Sequence, residues 1–262
     1  MLGKLIKYDL RVLFKYELGF ALASLVFAVI AKLLWMVDGS TVATAMAEIL
    51  QNFAMSTAIA MVVNTMMRAW AVMFARRMYG DESYLSHTLP VTRAQNYNSK
   101  FLSAMIAILF GVVAGGVAIF LAYNMNLETI NAALSELASA LDASTVGLVL
   151  AVVILVFVEL VNMLSVVFSA TIMTHKFERN RAVKGFLTGL AGFLVTQGVV
   201  VMAIFLLGLH NPNVMSLFGN GMVDSTETLK QIFWSAIAAY GTCAVVYYWF
   251  NLKMLQAGVD VD

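Results

Sequence analysis

Residues 146–173 read VGLVLAVVILVFVELVNMLSVVFSATIM, an apolar run in which Glu159 is the only charged residue. As an α-helix with a rise of about 1.5 Å per residue, such a run crosses a hydrocarbon core of about 30 Å. Five further apolar runs occupy residues 18–37, 49–73, 101–123, 186–209 and 231–250. The sequence therefore predicts six transmembrane helices.

The composition agrees with a membrane protein. Hydrophobic residues make up 61% of the 262 residues and charged residues 12%, far from the average of a soluble domain. Lipid offers no partners to backbone polar groups, and a membrane barrel would show alternating segments of about ten residues instead of long apolar runs. The predicted fold class is all-α, a polytopic membrane protein with six transmembrane helices.

Basic residues lie almost entirely on one side of these spans. If the amino terminus is inside, only Lys32 and Lys230 of the 16 Lys and Arg residues fall on the outer side. Cytoplasmic loops retain Lys and Arg during insertion, so both termini are expected in the cytoplasm. The prediction is one domain over residues 18–250, with inner loops at 76–100 and 174–185, outer loops at 124–145 and 210–230, and a cytoplasmic tail at 251–262.

The first 17 residues carry an amphipathic pattern of their own. Apolar residues recur there at helical spacing, and Lys4, Lys7, Asp9, Arg11 and Lys15 lie mostly between them. The pattern predicts an elbow helix over residues 1–17, lying in the inner membrane interface. It serves either as a topogenic anchor or as a contact for a cytoplasmic partner. A second amphipathic stretch, over residues 127–141, is expected to cap the outer mouth.

Motifs of familiar enzyme chemistry do not occur in the sequence. There is no G-x-x-x-x-G-K-[ST], no G-x-S-x-G and no H-E-x-x-H, so no catalytic residue is predicted and energy from ATP must come through another subunit. Cys243 is the single cysteine, and the three histidines lack ligand spacing, so no metal site is expected. No nucleic-acid partner is expected either.

Glu159 is the unusual residue of the membrane zone. An ionisable side chain at the centre of a span costs at least about 2.5 kcal/mol, so it is expected to face the protein interior. Asn162 lies one helical turn away, and Gln197 and Asn64 come from other spans at similar predicted depth. These four residues are predicted to form a midplane polar cluster, which either holds helices together or lines the path of a substrate.

Two pairs of glycines are spaced four residues apart within predicted spans. Gly111 with Gly115, and Gly185 with Gly189, each present a small face on one side of a helix. Such faces let helix backbones approach closely in a membrane. Close packing of helices is the expected role of both pairs.

The inner loop after the second span reads RRMYGDESYLSHTLPVTR over residues 76–93. Between its charged flanks it carries Tyr84, Leu85, Leu89 and Val91, a short apolar set that suits a groove on a soluble protein. An ordinary solvated loop is the other interpretation. The residues alone leave both open.

This loop resembles the first inner loop of six-span ABC transporter permeases of the exporter type from Gram-positive bacteria. The matching segments are YGDESYL at residues 79–85 and TLPVT at residues 88–92, with Lys100 before the third span. The common form in that family has Gly in place of Ser83 and Ser in place of Thr92. The specific motif is confined to the loop, whereas the likeness in topology extends over the chain.

The resemblance implies a permease subunit of an ATP-driven exporter in the cell membrane, of the kind that removes antimicrobial peptides or drugs. Its first inner loop would form a coupling helix seated on a separate ATP-binding subunit, and the residues carried over are Tyr79, Gly80, Asp81, Glu82, Tyr84, Leu85, Leu89 and Pro90. No cofactor is expected in this chain, with ATP and Mg on the partner ATPase. A second permease in the lipid bilayer, identical or related, would complete the pathway.

Two other functions stay open. The chain could be an ATP-independent secondary carrier or channel, in which Glu159, Asn162 and Gln197 form the ion or substrate site. It could also be a membrane sensor or immunity protein that binds an extracellular peptide through residues 124–145. Neither would require an ATPase.

Overall fold

The computed structural model describes residues 2–37, 39–80, 91–122, 143–175, 181–219 and 226–256. Only the backbone is described for residues 143–150, 181–182 and 226. Within these ranges the structure is all helical, with seven helices and no strand. The chain divides into two compact units, Met1–Leu134 and Ser135–Asp262.

The first unit consists of three long helices, α1 (Leu2–Trp35), α2 (Thr41–Arg68) and α3 (Arg93–Ala122). α2 continues directly into a π-helical segment, Ala69–Arg76, and a final α-helical turn, Arg77–Tyr79. The start of α1 contacts the end of α2 and the start of α3, so neighbouring helices along the chain run antiparallel.

The second unit contains α4 (Ala143–Thr174), α5 (Arg181–His210), the short α6 (Pro212–Gly219) and α7 (Thr226–Gln256). Ser169 near the end of α4 donates a hydrogen bond to Asn251 near the end of α7, at 2.5 Å. Tyr247 on α7 donates to the carbonyl oxygen of Gly192 on α5, at 3.0 Å. The three long helices are therefore mutual neighbours.

The described residues include six helices that are long and apolar enough to cross a membrane. They are Leu2–Trp35, Thr41–Tyr79, Arg93–Ala122, Ala151–Thr174, Val183–His210 and Glu227–Gln256. Each overlaps one of the apolar runs of the sequence. The predicted all-α fold with six candidate spans is confirmed, and the chain has the architecture of a multi-pass membrane protein.

The side chains that the helices bury are small, and those that they expose are large. Alanine is the most frequent buried apolar residue of the described chain, and Ala28, Ala54 and Ala122 pack together in the first unit. By contrast Leu22 is 63% exposed and Leu194 is 59% exposed. Exposed apolar surface of this extent is stable next to lipid and not next to water.

The amino-terminal segment differs from the prediction of a separate elbow helix. α1 runs without a break from Leu2 through the expected boundary at residue 17. Its buried stripe is also continuous, because the buried side chains follow helical spacing along the whole helix: Asp9, Leu13, Glu17, Ala21, Ser24, Ala28 and Ala31. The first 17 residues are therefore amphipathic, as predicted, but their inner face packs as part of the first span's helix.

Two helices begin at local capping signals that were not used when the spans were predicted from the apolar runs. α2 begins at Thr41 rather than at Ile49, because Ser40 caps it by accepting a hydrogen bond from the Ala43 amide at 3.2 Å, just after Gly39 with a φ of 79°. α6 begins at Pro212, with Asn211 accepting from the Asn213 amide at 3.0 Å.

Three predicted segments fall wholly or mainly outside the described residues. They are residues 81–90 of the inner loop, the amphipathic stretch predicted for the outer loop at 124–145, and residues 257–262 of the tail. The predictions made for these segments stay predictions.

Three of the four paired glycines, Gly111, Gly115 and Gly185, lie at close approaches between helices, whereas a Cβ at Gly189 would make an ordinary contact with Ala170 at 3.5 Å. A Cβ at Gly111 would lie 3.0 Å from Glu17 Oε1 of α1, and one at Gly115 would lie 3.3 Å from the Ala58 Cβ of α2. In the second unit a Cβ at Gly185 would lie only 2.5 Å from Thr174 Oγ1. These glycines allow neighbouring helices to approach closely.

Gly185→Ala is expected to destabilise the protein. The new methyl group meets Thr174, whose hydroxyl is held by the Ala170 carbonyl at 2.6 Å and whose Cγ2 and Cβ are also close, so rotation of the threonine gives no relief. Overpacking of this kind costs about 1–3 kcal/mol. The apparent melting temperature in detergent should fall.

Gly198→Ala is the matched control on the same helix, because a Cβ there meets no atom within 4 Å. It should leave the melting temperature unchanged or raise it, since alanine is the better helix former. Equal melting temperatures for the two variants would contradict the close approach of α4 and α5.

Candidate functional site

The two ends of the inner loop are held by a group of residues that we call the loop stem. It comprises Arg77, Tyr79 and Gly80 on the side of α2, and Thr92, Gln95, Tyr97, Ser99 and Lys100 on the side of α3. All belong to the first unit, and Asp9 of α1 joins the two sides.

Asp9 is the central charge of the loop stem. Its side chain is 7% exposed, and its Oδ1 lies 3.3 Å from Arg77 Nη1 and 3.9 Å from Lys100 Nζ. Ser99 Oγ donates a hydrogen bond to the other carboxylate oxygen at 3.0 Å. One carboxylate therefore connects three helices, and it compensates Lys100, whose side chain is only 5% exposed.

Aromatic contacts connect the two sides a second time. Phe74, which is fully buried, makes edge-to-face contacts with Tyr79 and with Tyr97, both with ring centroids 5.9 Å apart. Tyr97 stacks in turn on Phe101 at 5.9 Å. Such pairs are worth about 0.5–1.5 kcal/mol each beyond the area that they bury. The last turns of α2 are thereby packed onto the first turns of α3.

Local chain geometry fixes both ends of the loop. Gly80 donates its amide to the Arg76 carbonyl at 3.0 Å, and a Cβ on Gly80 would lie 2.8 Å from that oxygen. On the other side Thr92 and Gln95 form a capping box, in which each side chain accepts from the other's amide at 3.2 Å. A serine at position 92 would supply the same hydroxyl.

The predicted coupling residues are only partly placed. Tyr79 is packed against Phe74, and Gly80 ends the helical stretch. The other six lie outside the described residues: Asp81, Glu82, Tyr84, Leu85, Leu89 and Pro90. The sequence analysis did not assign Asp9 to this site. The available signal was its position as an acid on the apolar face of a basic segment, four residues before Leu13.

In the second unit two of the polar residues predicted for the midplane, Glu159 and Gln197, interact with Tyr240. This tyrosine is buried on α7 and donates a hydrogen bond to Gln197 Oε1 of α5 at 3.1 Å. The carboxyl group of Glu159 on α4 interacts with the same hydroxyl. Glu159 and Gln197 are thus connected through Tyr240, a residue that the sequence analysis did not single out. We call these three residues the Tyr240 cluster.

The other two predicted members are placed differently. Asn162 is 1% exposed, and its carboxamide oxygen has no hydrogen-bond partner within the described ranges. Asn64 lies half-buried on α2 and belongs to the first unit. The Tyr240 cluster therefore takes its members from the second unit alone.

An open apolar cleft of about 410 Å³ borders the Tyr240 cluster. Its lining comes from α5 and α6 and consists of Gln197, Gly198, Val201, Met202, Phe205 and Phe218. Phe205 and Phe218 of this lining meet edge to face at 5.6 Å. Gln197 is the single amide on an otherwise apolar surface, and the Tyr240 hydroxyl fixes its orientation.

No group of three or more His, Cys, Asp or Glu residues that could hold a metal ion occurs in the part of the chain that is described. Comparison of the chain with protein-family models, with curated proteins and with solved structures finds no match. The loop stem and the Tyr240 cluster are the two polar arrangements from which we reason about function.

Asp9→Asn is expected to destabilise the first unit strongly. The change keeps the shape of the side chain but leaves Lys100 buried without its counter-charge, which costs about 3–5 kcal/mol for a broken buried pair. The apparent melting temperature in detergent should drop markedly. Adding Lys100→Met should restore part of the loss, because the uncompensated charge is removed.

Glu48→Gln is the control for this pair of variants. Glu48 is an exposed acid on α2, and its neutralisation should change the melting temperature little. If Asp9→Asn and Glu48→Gln behaved alike, the ion pairs of Asp9 would not hold the loop stem.

Proposed function

We propose that the chain is the permease subunit of an ATP-driven exporter of the ABC type. The observation that carries the proposal is the loop stem, which braces both ends of the loop whose sequence resembles a coupling helix. In this proposal a separate ATP-binding subunit docks on residues 76–93, and its ATP-driven closure is transmitted through them to the helices.

A loop can transmit force to the helices only if its two ends move together. Here Asp9 ties the end of α2 to the start of α3, the Phe74 contacts repeat the connection, and the capping box at Thr92 fixes the first turn of α3. Displacement of the loop would therefore move three helices as a group. Tyr84, Leu85 and Leu89 would supply the apolar contact with the ATPase.

The proposal also requires partners. No phosphate-binding motif occurs in the sequence, so ATP and Mg would be bound by the partner ATPase. Two units of three long helices offer little room for an enclosed path, so a second permease, identical or related, would complete it. The protein would lie in the plasma membrane with both termini in the cytoplasm. Peptides or drugs are the substrate classes that the resemblance suggests.

The cytoplasmic position of the loop can be tested by cysteine labelling. In a Cys243→Ser background, Ser83→Cys should resist a membrane-impermeant maleimide in intact cells and react after permeabilisation, because basic flanks keep the loop inside. Ser135→Cys, in the predicted outer loop, is the matched control and should react in intact cells. The reverse labelling pattern would exclude docking of a cytoplasmic ATPase on this loop.

Recovery of an ATPase tests the proposal directly. Under mild detergent the protein from its native membrane should be recovered with a stoichiometric ABC ATP-binding chain, identified by mass spectrometry. Leu85→Asp should weaken this association by about 2 kcal/mol or more, as expected for a central apolar contact. Leu137→Asp, in the predicted outer loop, should leave it unchanged. Wild-type protein recovered alone would count against the proposal.

The Tyr240 cluster favours a second candidate, an ATP-independent secondary carrier. A carboxyl group that interacts with a tyrosine, itself bonded to a glutamine, inside a bundle of spanning helices is suited to hold an ion or a proton. Liposomes that contain this chain alone distinguish the two candidates. Substrate flux driven by an ion gradient, without ATP, would support the carrier.

A further inference from the structure

Arg68, the last residue of α2 before the π-helical segment, lies against an aromatic ring of α1. Its guanidinium carbon is 3.6 Å from the centroid of the Tyr16 ring. Lys15 Nζ lies 5.7 Å from the same centroid. Two cations from neighbouring helices thus share one ring, and we call this group of three residues the Tyr16 site.

The positive charge of the Tyr16 site has no counter-charge within the described residues. Neither Arg68 nor Lys15 forms an ion pair there. Glu17 is adjacent in sequence, but it is fully buried, with its Oε1 against Gly111 of α3. The Nε of Arg68 is buried and lacks a hydrogen-bond acceptor. That Nε is enclosed by the unit, but Arg68 as a whole is only half-buried, so an acceptor from outside can approach the remainder of the guanidinium.

The Tyr16 site lies near the basic ends of two apolar runs. The first run starts at Leu18, two residues after Tyr16, and Arg68 lies five residues before the end of the run 49–73. Asp9 and its partners lie seven residues earlier along α1, about 10 Å further toward the basic end of the unit at 1.5 Å per residue. Leu18, Val63 and Met67 are exposed on the same two helices, toward the apolar run. Cations therefore border an exposed apolar surface near the basic end of the unit.

We infer that the Tyr16 site binds the phosphate group of an anionic phospholipid. A guanidinium can donate two parallel hydrogen bonds to phosphate oxygens, and the ammonium group adds a point charge. Basic pockets between transmembrane helices bind anionic headgroups in this way, and tyrosine is favoured at the same depth. Free phosphate has the same oxygen atoms but no acyl chains to cover Leu18, Val63 and Met67, so the lipid is the better match.

Native mass spectrometry of the delipidated full-length protein tests this site. We expect phosphatidylglycerol to bind more tightly than phosphatidylcholine. Arg68→Gln should weaken binding of phosphatidylglycerol by about tenfold, the loss expected for a charge-assisted hydrogen bond. Binding of phosphatidylcholine should not change. Inorganic phosphate at millimolar concentration should fail to displace the lipid, and displacement would assign the site to the free anion.

Lys7→Gln is the matched control, because it removes one exposed cation of α1 at the same end of the unit but away from the Tyr16 ring. It should change the affinity for phosphatidylglycerol by less than about twofold, as expected for one diffuse surface charge. An equal loss in the two variants would mean a diffuse basic surface and would overturn the inference. If Arg68→Gln does not fold, the lipid affinities of the wild-type protein decide the test. Equal affinity for phosphatidylglycerol and phosphatidylcholine would also overturn the inference.

Discussion

Helices in lipid gain little from burying apolar side chains, because the solvent is as apolar as the protein. Their association therefore depends on close approach, and this constraint accounts for the composition of both units. Ala28, Ala54 and Ala122 form a contact layer in the first unit, and the Gly185 face meets Thr174 in the second. Large side chains such as Leu22 and Leu194 are left outside. Polar groups supply the directional contacts, as when Ser24 donates a hydrogen bond to the Ala54 carbonyl at 2.9 Å across α1 and α2.

The charged residues of the first unit are arranged differently from its apolar residues. One carboxylate, Asp9, serves both Arg77 and Lys100, so a single side chain of α1 connects the residues on either side of the inner loop. At the boundary of the apolar run Arg68 instead uses the face of Tyr16. The basic end of the first unit thus contains two sets of cations. Arg77 and Lys100 face inward and have Asp9 as their counter-charge, whereas Arg68 and Lys15 face outward and form no ion pair within the described residues. The first suits transmission of force within the protein, and the second suits contact with the membrane.

Features that depend on local sequence could be predicted, and features that depend on distant pairs could not. Hydropathy and spacing predicted the six spans and the glycine faces. Asp9 contacts Arg77 and Lys100, which lie far along the chain, and Tyr240 of the last helix contacts Gln197 of α5. No short segment of the sequence contains both partners of either contact. The helix does not break at residue 17, where the elbow helix was predicted to end, because a change in exterior polarity need not break a helix whose buried stripe continues through Glu17. The sequence also contains two helix-start signals that the prediction did not use, Thr92-x-x-Gln95 and Asn211-Pro212.

The π-helical segment Ala69–Arg76 determines the direction in which the last turn of α2 presents its side chains. Each residue of an α-helix adds about 100° of rotation, and hydrogen bonds that close over five residues instead of four make a wider turn. Arg77 consequently points to another side of the helix axis than uninterrupted α-helical winding would give. These eight residues therefore determine the side of the helix axis on which Arg77, Tyr79 and Gly80 lie. Gain or loss of one residue there would rotate Arg77, Tyr79 and Gly80 out of alignment with α3, while every contact before Ala69 stayed in place.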